Sequence, residues 1–266
     1  MPDRLIRHAD IGGGVSIAHV ITGSGAPLVL MHGGEADHTM YDRFVPHLTS
    51  DFACIGYDQR DSGATINPPD AYGATDLADD AAGLIRALGH AKVHVFGTSF
   101  GSIIAQALAV RHPALVDRLV LSAAIRIGRS LVDIAPETAA TLGRLRTDPR
   151  RNGMAIAQFF YTPDHLAKHP ELAERFSGGK RTPEQSARRD AVIPGAPLLP
   201  LGGITATTLV LAHAGDRLIP PAHSLSIAKE IPGARTLVLE GLGHVGTIQA
   251  PDRVAAAVRS FLLSGS

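Results

Sequence analysis

Short apolar runs alternate along the chain with longer stretches whose apolar residues recur at helical spacing. Residues 15–23, 27–33, 52–58, 92–98, 118–123, 208–214 and 236–240 read as strands. Several are continuous apolar runs, such as Leu28-Val29-Leu30-Met31 and Leu209-Val210-Leu211-Ala212. Runs of this kind suit strands covered on both faces, as in a parallel sheet between helices. Residues 76–88 place Leu77, Ala81, Leu84, Ile85 and Leu88 on one helical face and stop at Gly89. Residues 100–111 are almost wholly apolar and predict a buried helix ended by His112-Pro113. Residues 251–263 predict an amphipathic last helix with Pro in its first turn. The alternation predicts an α/β fold with a mainly parallel sheet.

The pattern breaks over residues 125–205, where β-branched runs give way to Pro-punctuated helical pieces. This stretch is expected to be a helical lid. Residues 1–124 and 206–266 then form the core, because the chain rejoins the same sheet. Insertions after strand ends sit over the ligand crevice of such sheets.

Composition narrows the function classes. The 266 residues carry 25 Lys plus Arg and 25 Asp plus Glu, so there is no basic excess for nucleic acid. The lid is locally basic, with twelve cations against eight anions. Arg126, Arg129, Arg144, Arg146, Arg150 and Arg151 could attract a carboxylate substrate, with a solvated helical face as the favoured alternative. One cysteine, Cys54, excludes an internal disulfide and a Cys-rich zinc module. No apolar stretch reaches the roughly 20 residues of a membrane helix. Residues 1–10 are charged and lack a signal-peptide apolar core, so the expectation is a cytoplasmic protein acting on a small molecule.

The strongest chemical signal is Gly97-Thr98-Ser99-Phe100-Gly101. The five residues lie between a predicted strand and a predicted buried helix. G-x-S-x-G is common by chance, but this context makes it specific. The turn would lift the Ser99 hydroxyl clear of the sheet. The Phe100 N–H opens the helix, has no intrahelical partner, and can donate to a developing oxyanion. Upstream, a strand runs into His32-Gly33-Gly34-Glu35, and the Gly34 N–H is the candidate second donor. His32 is expected to organise that loop. Glu35 would oppose an oxyanion unless turned away or paired. Downstream, Gly215-Asp216 follows a strand; there Asp216 can reach a histidine on the next loop or cap a helix. Gly243-His244 follows the last strand and completes the order Ser…Asp…His.

These four motifs, in this order and spread over almost the whole chain, resemble the α/β-hydrolase superfamily. The resemblance implies the α/β-hydrolase fold: eight mostly parallel strands flanked by helices, with the lid inserted after the sixth. It also implies Ser99 as nucleophile, His244 as base and Asp216 as the acid that orients it, with no metal or organic cofactor. A fifth stretch, Tyr57-Asp58-Gln59-Arg60-Asp61-Ser62-Gly63, looks like the D-x-R-G-x-G loop of many such hydrolases, with Asp61 where glycine is usual.

Two substrate readings stay open on these residues. One is a hydrolase of small carboxylic esters or lactones. The other resembles the proline iminopeptidase branch, in which lid carboxylates bind the substrate's amino terminus; Glu137, Glu171, Glu174 and Glu184 are the candidates. A C–C bond hydrolase or perhydrolase would use the same triad, and a receptor pocket without turnover would need none of it. Phe159, Phe160 and Tyr161 are candidate pocket residues in the lid, with packing of a lid helix as the alternative. Nothing in the sequence indicates an oligomeric state.

Overall fold

The protein is described from a computed structural model, which covers residues 5–179 and 181–264. Eight strands form one sheet: β1 (Arg7–Asp10), β2 (Ser16–Thr22), β3 (Ala26–Met31), β4 (Phe52–Tyr57), β5 (Val93–Thr98), β6 (Val116–Ser122), β7 (Thr207–His213) and β8 (Arg235–Leu239). Their order is β1-β2-β4-β3-β5-β6-β7-β8. The β1/β2 and β2/β4 pairs are antiparallel, and every later pairing is parallel. The expected mostly parallel sheet is therefore present, with one strand that the apolar pattern did not signal. β1 is Arg-His-Ala-Asp, a short edge strand whose polar side chains suit its exposure.

The longest helices that cover the sheet are α1 (Ala74–Ala87), α2 (Phe100–Arg111) and, at the end of the chain, Pro251–Leu263. The apolar runs divide between the two faces as the pleat requires. Val29 and Met31 point into a core shared with Leu77, Ile85, Ile103 and Leu108. Leu28 and Leu30 point the other way, to Phe44, Phe96, Val254 and Val258. α2 is buried along nearly its full length, which explains why its sequence shows no polar face.

Between β6 and β7 the chain is helical, as the broken alternation predicts. It forms α3 (Leu131–Ile134), α4 (Pro136–Leu145), α5 (Pro149–Ala157), α6 (Pro163–Lys168) and α7 (Pro183–Ala191). Four of these five open on Pro, which has no N–H to leave unpaired in a first turn. α8 (Pro221–Ile227) and α9 (Gly246–Gln249) follow β7 and β8, and Pro251–Leu263 is α10. The segment between β6 and β7 has its own small apolar cluster, in which Tyr161, Leu166 and Leu172 pack on Met40 and Ile248. Among the described residues no helix is long and apolar enough to cross a membrane.

Candidate active site

The sequence-derived residues gather at the C-terminal ends of β3, β5, β7 and β8, the side of a parallel sheet where ligands bind. Ser99 follows β5 directly and opens α2. Its backbone sits at φ 53°, ψ −121°, a conformation that costs a non-glycine residue about 1–3 kcal/mol. The surroundings impose it. The Ser99 N–H donates to Ser122 O at 3.1 Å, and the Ser99 carbonyl accepts from Ser102 N at 2.9 Å and from Ser102 Oγ at 2.5 Å. Both flanking glycines are steric requirements. A Cβ on Gly97 would lie 2.5 Å from Gly101 O, and one on Gly101 only 2.0 Å from Met31 O. Strand, turn and helix thus approach one another more closely than any side chain allows.

The His32-Gly33-Gly34 loop passes over this turn. A Cβ built on Gly33 would be 3.9 Å from Ser99 Cβ, and one on Gly34 3.6 Å from Phe100 Cβ. His32 is fully buried and organises the loop, as expected. Its Nδ1 bonds Gly33 O at 2.8 Å, and its Nε2 accepts from the Gln59 N–H at 3.3 Å. Because Nε2 accepts a backbone N–H, the ring proton sits on Nδ1. Burial, reinforced by the nearby Arg189 charge, lowers the His32 pKa to about 3, so the ring is neutral. Glu35 is turned to solvent and paired: Arg146 Nη2 lies 2.5 Å from its carboxylate, which removes the conflict foreseen from the sequence.

Asp216 reaches the histidine, and in place of a helix cap it closes a turn; the next helix, Pro221–Ile227, has Pro220 at its N-cap. Asp216 Oδ1 accepts Leu218 N at 2.9 Å and Ile219 N at 2.8 Å, which closes the turn after β7. Its Oδ2 bonds His244 Nδ1 at 2.8 Å. The His244 ring is 2% exposed, and its Nε2 is buried with no hydrogen-bond partner among the described residues. Phe160 stands edge-on to that ring, with centroids 5.6 Å apart.

His213, which sequence reasoning did not single out, ties the two halves together. Its Nδ1 bonds Gly243 O at 2.9 Å, and its Nε2 lies 3.4 Å from the hydroxyl of Ser122, whose carbonyl receives the Ser99 N–H. Burial lowers its pKa, so it also stays neutral. Its only sequence signal is its place as the last residue of β7.

The remaining candidates fall in different places. Phe159 faces Arg217, 5.6 Å from its guanidinium. Tyr161 is buried in the helical segment, stacked on His165. Arg126 is buried against Glu230 and anchors the base of the segment, whereas Arg129, Arg144, Arg150 and Arg151 are exposed. Three arginines that the sequence did not flag grip the loop after β4. Arg188 pairs with Asp61 at 2.9 and 2.8 Å, Arg181 reaches Asp61 O at 2.5 Å and Ser62 Oγ at 2.8 Å, and Arg189 bonds the Gln59 side chain. Asp61, at φ 55°, is thus an anchor for α7 as well as a residue in place of a glycine.

A strained serine on a strand-to-helix turn and a buried carboxylate–imidazole pair, all following the C-terminal ends of strands of this sheet, fit the arrangement of an α/β hydrolase. The chain belongs to the α/β-hydrolase fold family, whose defining pattern matches residues 26–251. It is 30% identical over 276 residues to BpoC of Mycobacterium tuberculosis, a candidate non-heme bromoperoxidase, covering 94% of this chain and 98% of that protein. It is 29% identical over 273 residues to the rhodomycin D methylesterase DnrP of Streptomyces peucetius, covering 88% of this chain and 89% of that one. The enol-lactonase structure from Burkholderia xenovorans LB400 superposes with a TM-score of 0.83 at 26% identity, covering 97% of this chain and all of that one.

Proposed function

We propose that this protein is a serine hydrolase of small carboxylic esters or lactones that works through an acyl-enzyme on Ser99. The observation that carries the reading is the state of His244. One nitrogen is held by Asp216, and the other is buried without a partner among the described residues, on a loop tied to the Ser99 turn. A buried, unpaired ring nitrogen is costly unless something else needs it. A proton acceptor for the Ser99 hydroxyl is that need.

In this mechanism His244 Nε2 takes the Ser99 proton as Oγ attacks the carbonyl carbon. Asp216 keeps the ring proton on Nδ1 and stabilises the imidazolium. The oxyanion lies between the N–H groups of Phe100 and Gly34, two residues in close approach, since a Cβ on Gly34 would lie 3.6 Å from Phe100 Cβ. Collapse expels the alcohol, which leaves with the proton from His244. Water, deprotonated by the same nitrogen, then attacks the acyl carbon and releases the acid. Residues 125–205 act as the cap. It is held to the core by Arg188–Asp61 and by Arg146–Glu35, so the Glu35 charge is matched away from the oxyanion.

Esters are favoured over amino-terminal peptides by the charges of the cap. Glu137, Glu171, Glu174 and Glu184 are all exposed, and the buried charge that the cap sets beside Phe100 is a cation, Arg189. The methylesterase and lactonase among the similar proteins support the same substrate class. The test is a panel of short-chain p-nitrophenyl esters, lactones and prolyl amides run with wild type and Ser99→Ala. Esters or lactones should turn over, and the variant should lose at least about 10³-fold while keeping its fold. A folded Ser99→Ala protein within tenfold of wild type would refute the nucleophile.

A further inference from the structure

Arg189 is a buried cap cation with no carboxylate within 4 Å among the described residues; apart from Tyr72, its partners belong to the loops that build the site. Its guanidinium lies 4.0 Å over the Phe100 ring. Nη2 donates to Gln59 Oε1, and longer contacts of 3.4 and 3.5 Å reach Gly34 O and Arg60 O. Burial lowers its pKa to about 10, which leaves it charged at neutral pH.

A guanidinium can only donate, so it forces the oxygen of the Gln59 amide to face it. The amide nitrogen must then point the other way, where it donates to His32 O at 3.0 Å. The Gln59 backbone N–H occupies His32 Nε2, so the His32 proton sits on Nδ1 and goes to Gly33 O at 2.8 Å. That carbonyl shares its planar peptide with the Gly34 N–H. Pinning one end aims the other. Each bond in such a chain also polarises the next.

We propose that Arg189 is a positioning residue for the oxyanion hole, setting the aim of the Gly34 N–H through Gln59 and His32. This rests on the reading of Gly34 as an oxyanion donor to a substrate on Ser99. It makes the cap part of the catalytic geometry as well as a cover.

The test uses the full chain with a neutral ester, p-nitrophenyl butyrate. Arg189→Met removes the cation. Gln59→Glu gives Arg189 a carboxylate yet removes the donor to His32 O, so it uncouples the relay without weakening the dock. Arg188→Met loosens the same helix at Asp61 without touching the relay. Arg189→Met and Gln59→Glu should each lower kcat about 10- to 100-fold, below the 10²–10³ of a donor lost outright, with KM within about threefold. Their double variant should be no worse than the poorer single, because both act along one path. Gln59→Glu should keep the wild-type melting temperature. Arg188→Met should lower the melting temperature and keep kcat within about threefold. Equal kcat losses for Arg188→Met and Arg189→Met, additive losses in the double variant, or a loss carried by KM would overturn the proposal; the last would mean that Arg189 binds substrate. The site reading is checked separately by mass spectrometry after labelling wild type with a fluorophosphonate. An adduct on Ser99 supports it whatever Arg189 does, and an adduct elsewhere overturns it.

Discussion

His32 should make this protein sensitive to acid from about pH 6.5 downward, before the carboxylates begin to titrate. The ring is fully buried, with both nitrogens committed, and its pKa falls from 6.5 to about 3, through burial first and the Arg189 charge second. The unfolded chain therefore takes up a proton on this ring between pH 6.5 and 3 while the folded protein does not. The stability from a neutral His32 is present in full above pH 6.5 and is lost as the pH falls through that window. Each tenfold rise in proton concentration within the window costs about 1.36 kcal/mol, so at pH 4.5, two such steps below 6.5, the loss is about 3 kcal/mol. The perturbation is His32→Gln, whose amide oxygen can accept the Gln59 N–H but cannot titrate. The chain contains no Trp, so urea unfolding is followed by far-ultraviolet circular dichroism. Other histidines with lowered values, such as His19 and His213, are common to both proteins and cancel in the difference. Between pH 7.5 and 4.5 the stability of wild type should fall relative to the variant by about 3 kcal/mol. A difference that stays constant over that interval would show that His32 is protonated in the fold.

Three further outcomes follow from single contacts. Asp216→Asn should lower kcat by roughly 10⁴-fold, because an amide favours the wrong tautomer of His244; a loss under tenfold would remove Asp216 from the mechanism. Gly101→Ala places its Cβ 2.0 Å from a backbone oxygen of β3, so helix and strand must separate. It should unfold at much lower urea than wild type, by at least about 3 kcal/mol, and an unchanged midpoint would contradict the packing. Glu35→Gln breaks an ion pair whose two side chains are about half exposed, so unfolding free energy should change by less than about 1 kcal/mol.

What the sequence by itself determined is whatever rests on neighbours in the chain. Leu28 to Met31 alternate between two cores because a strand alternates its side chains, so an unbroken apolar run already implied a sheet covered twice. Gly97, Ser99 and Gly101 specified the tight turn because only glycine tolerates backbone so near, and the order of Ser99, Asp216 and His244 followed the strands. The polar edge strand β1 was missed because four residues without an apolar face carry no periodic signal.

Only the tertiary structure decided how those pieces meet. Arg188 and Asp61 lie 127 positions apart, and Arg189 and Gln59 130, so no local pattern relates them. The six arginines legible as a basic lid separated into Arg126 on Glu230, Arg146 on Glu35 and an exposed remainder. The cation set against the His32-Gly33-Gly34 loop came from a helix whose composition singles out none of its arginines. A charge is the same letter on a solvated face and in a buried relay. Its energy is set by the acceptors and the solvent around it, and the fold supplies both.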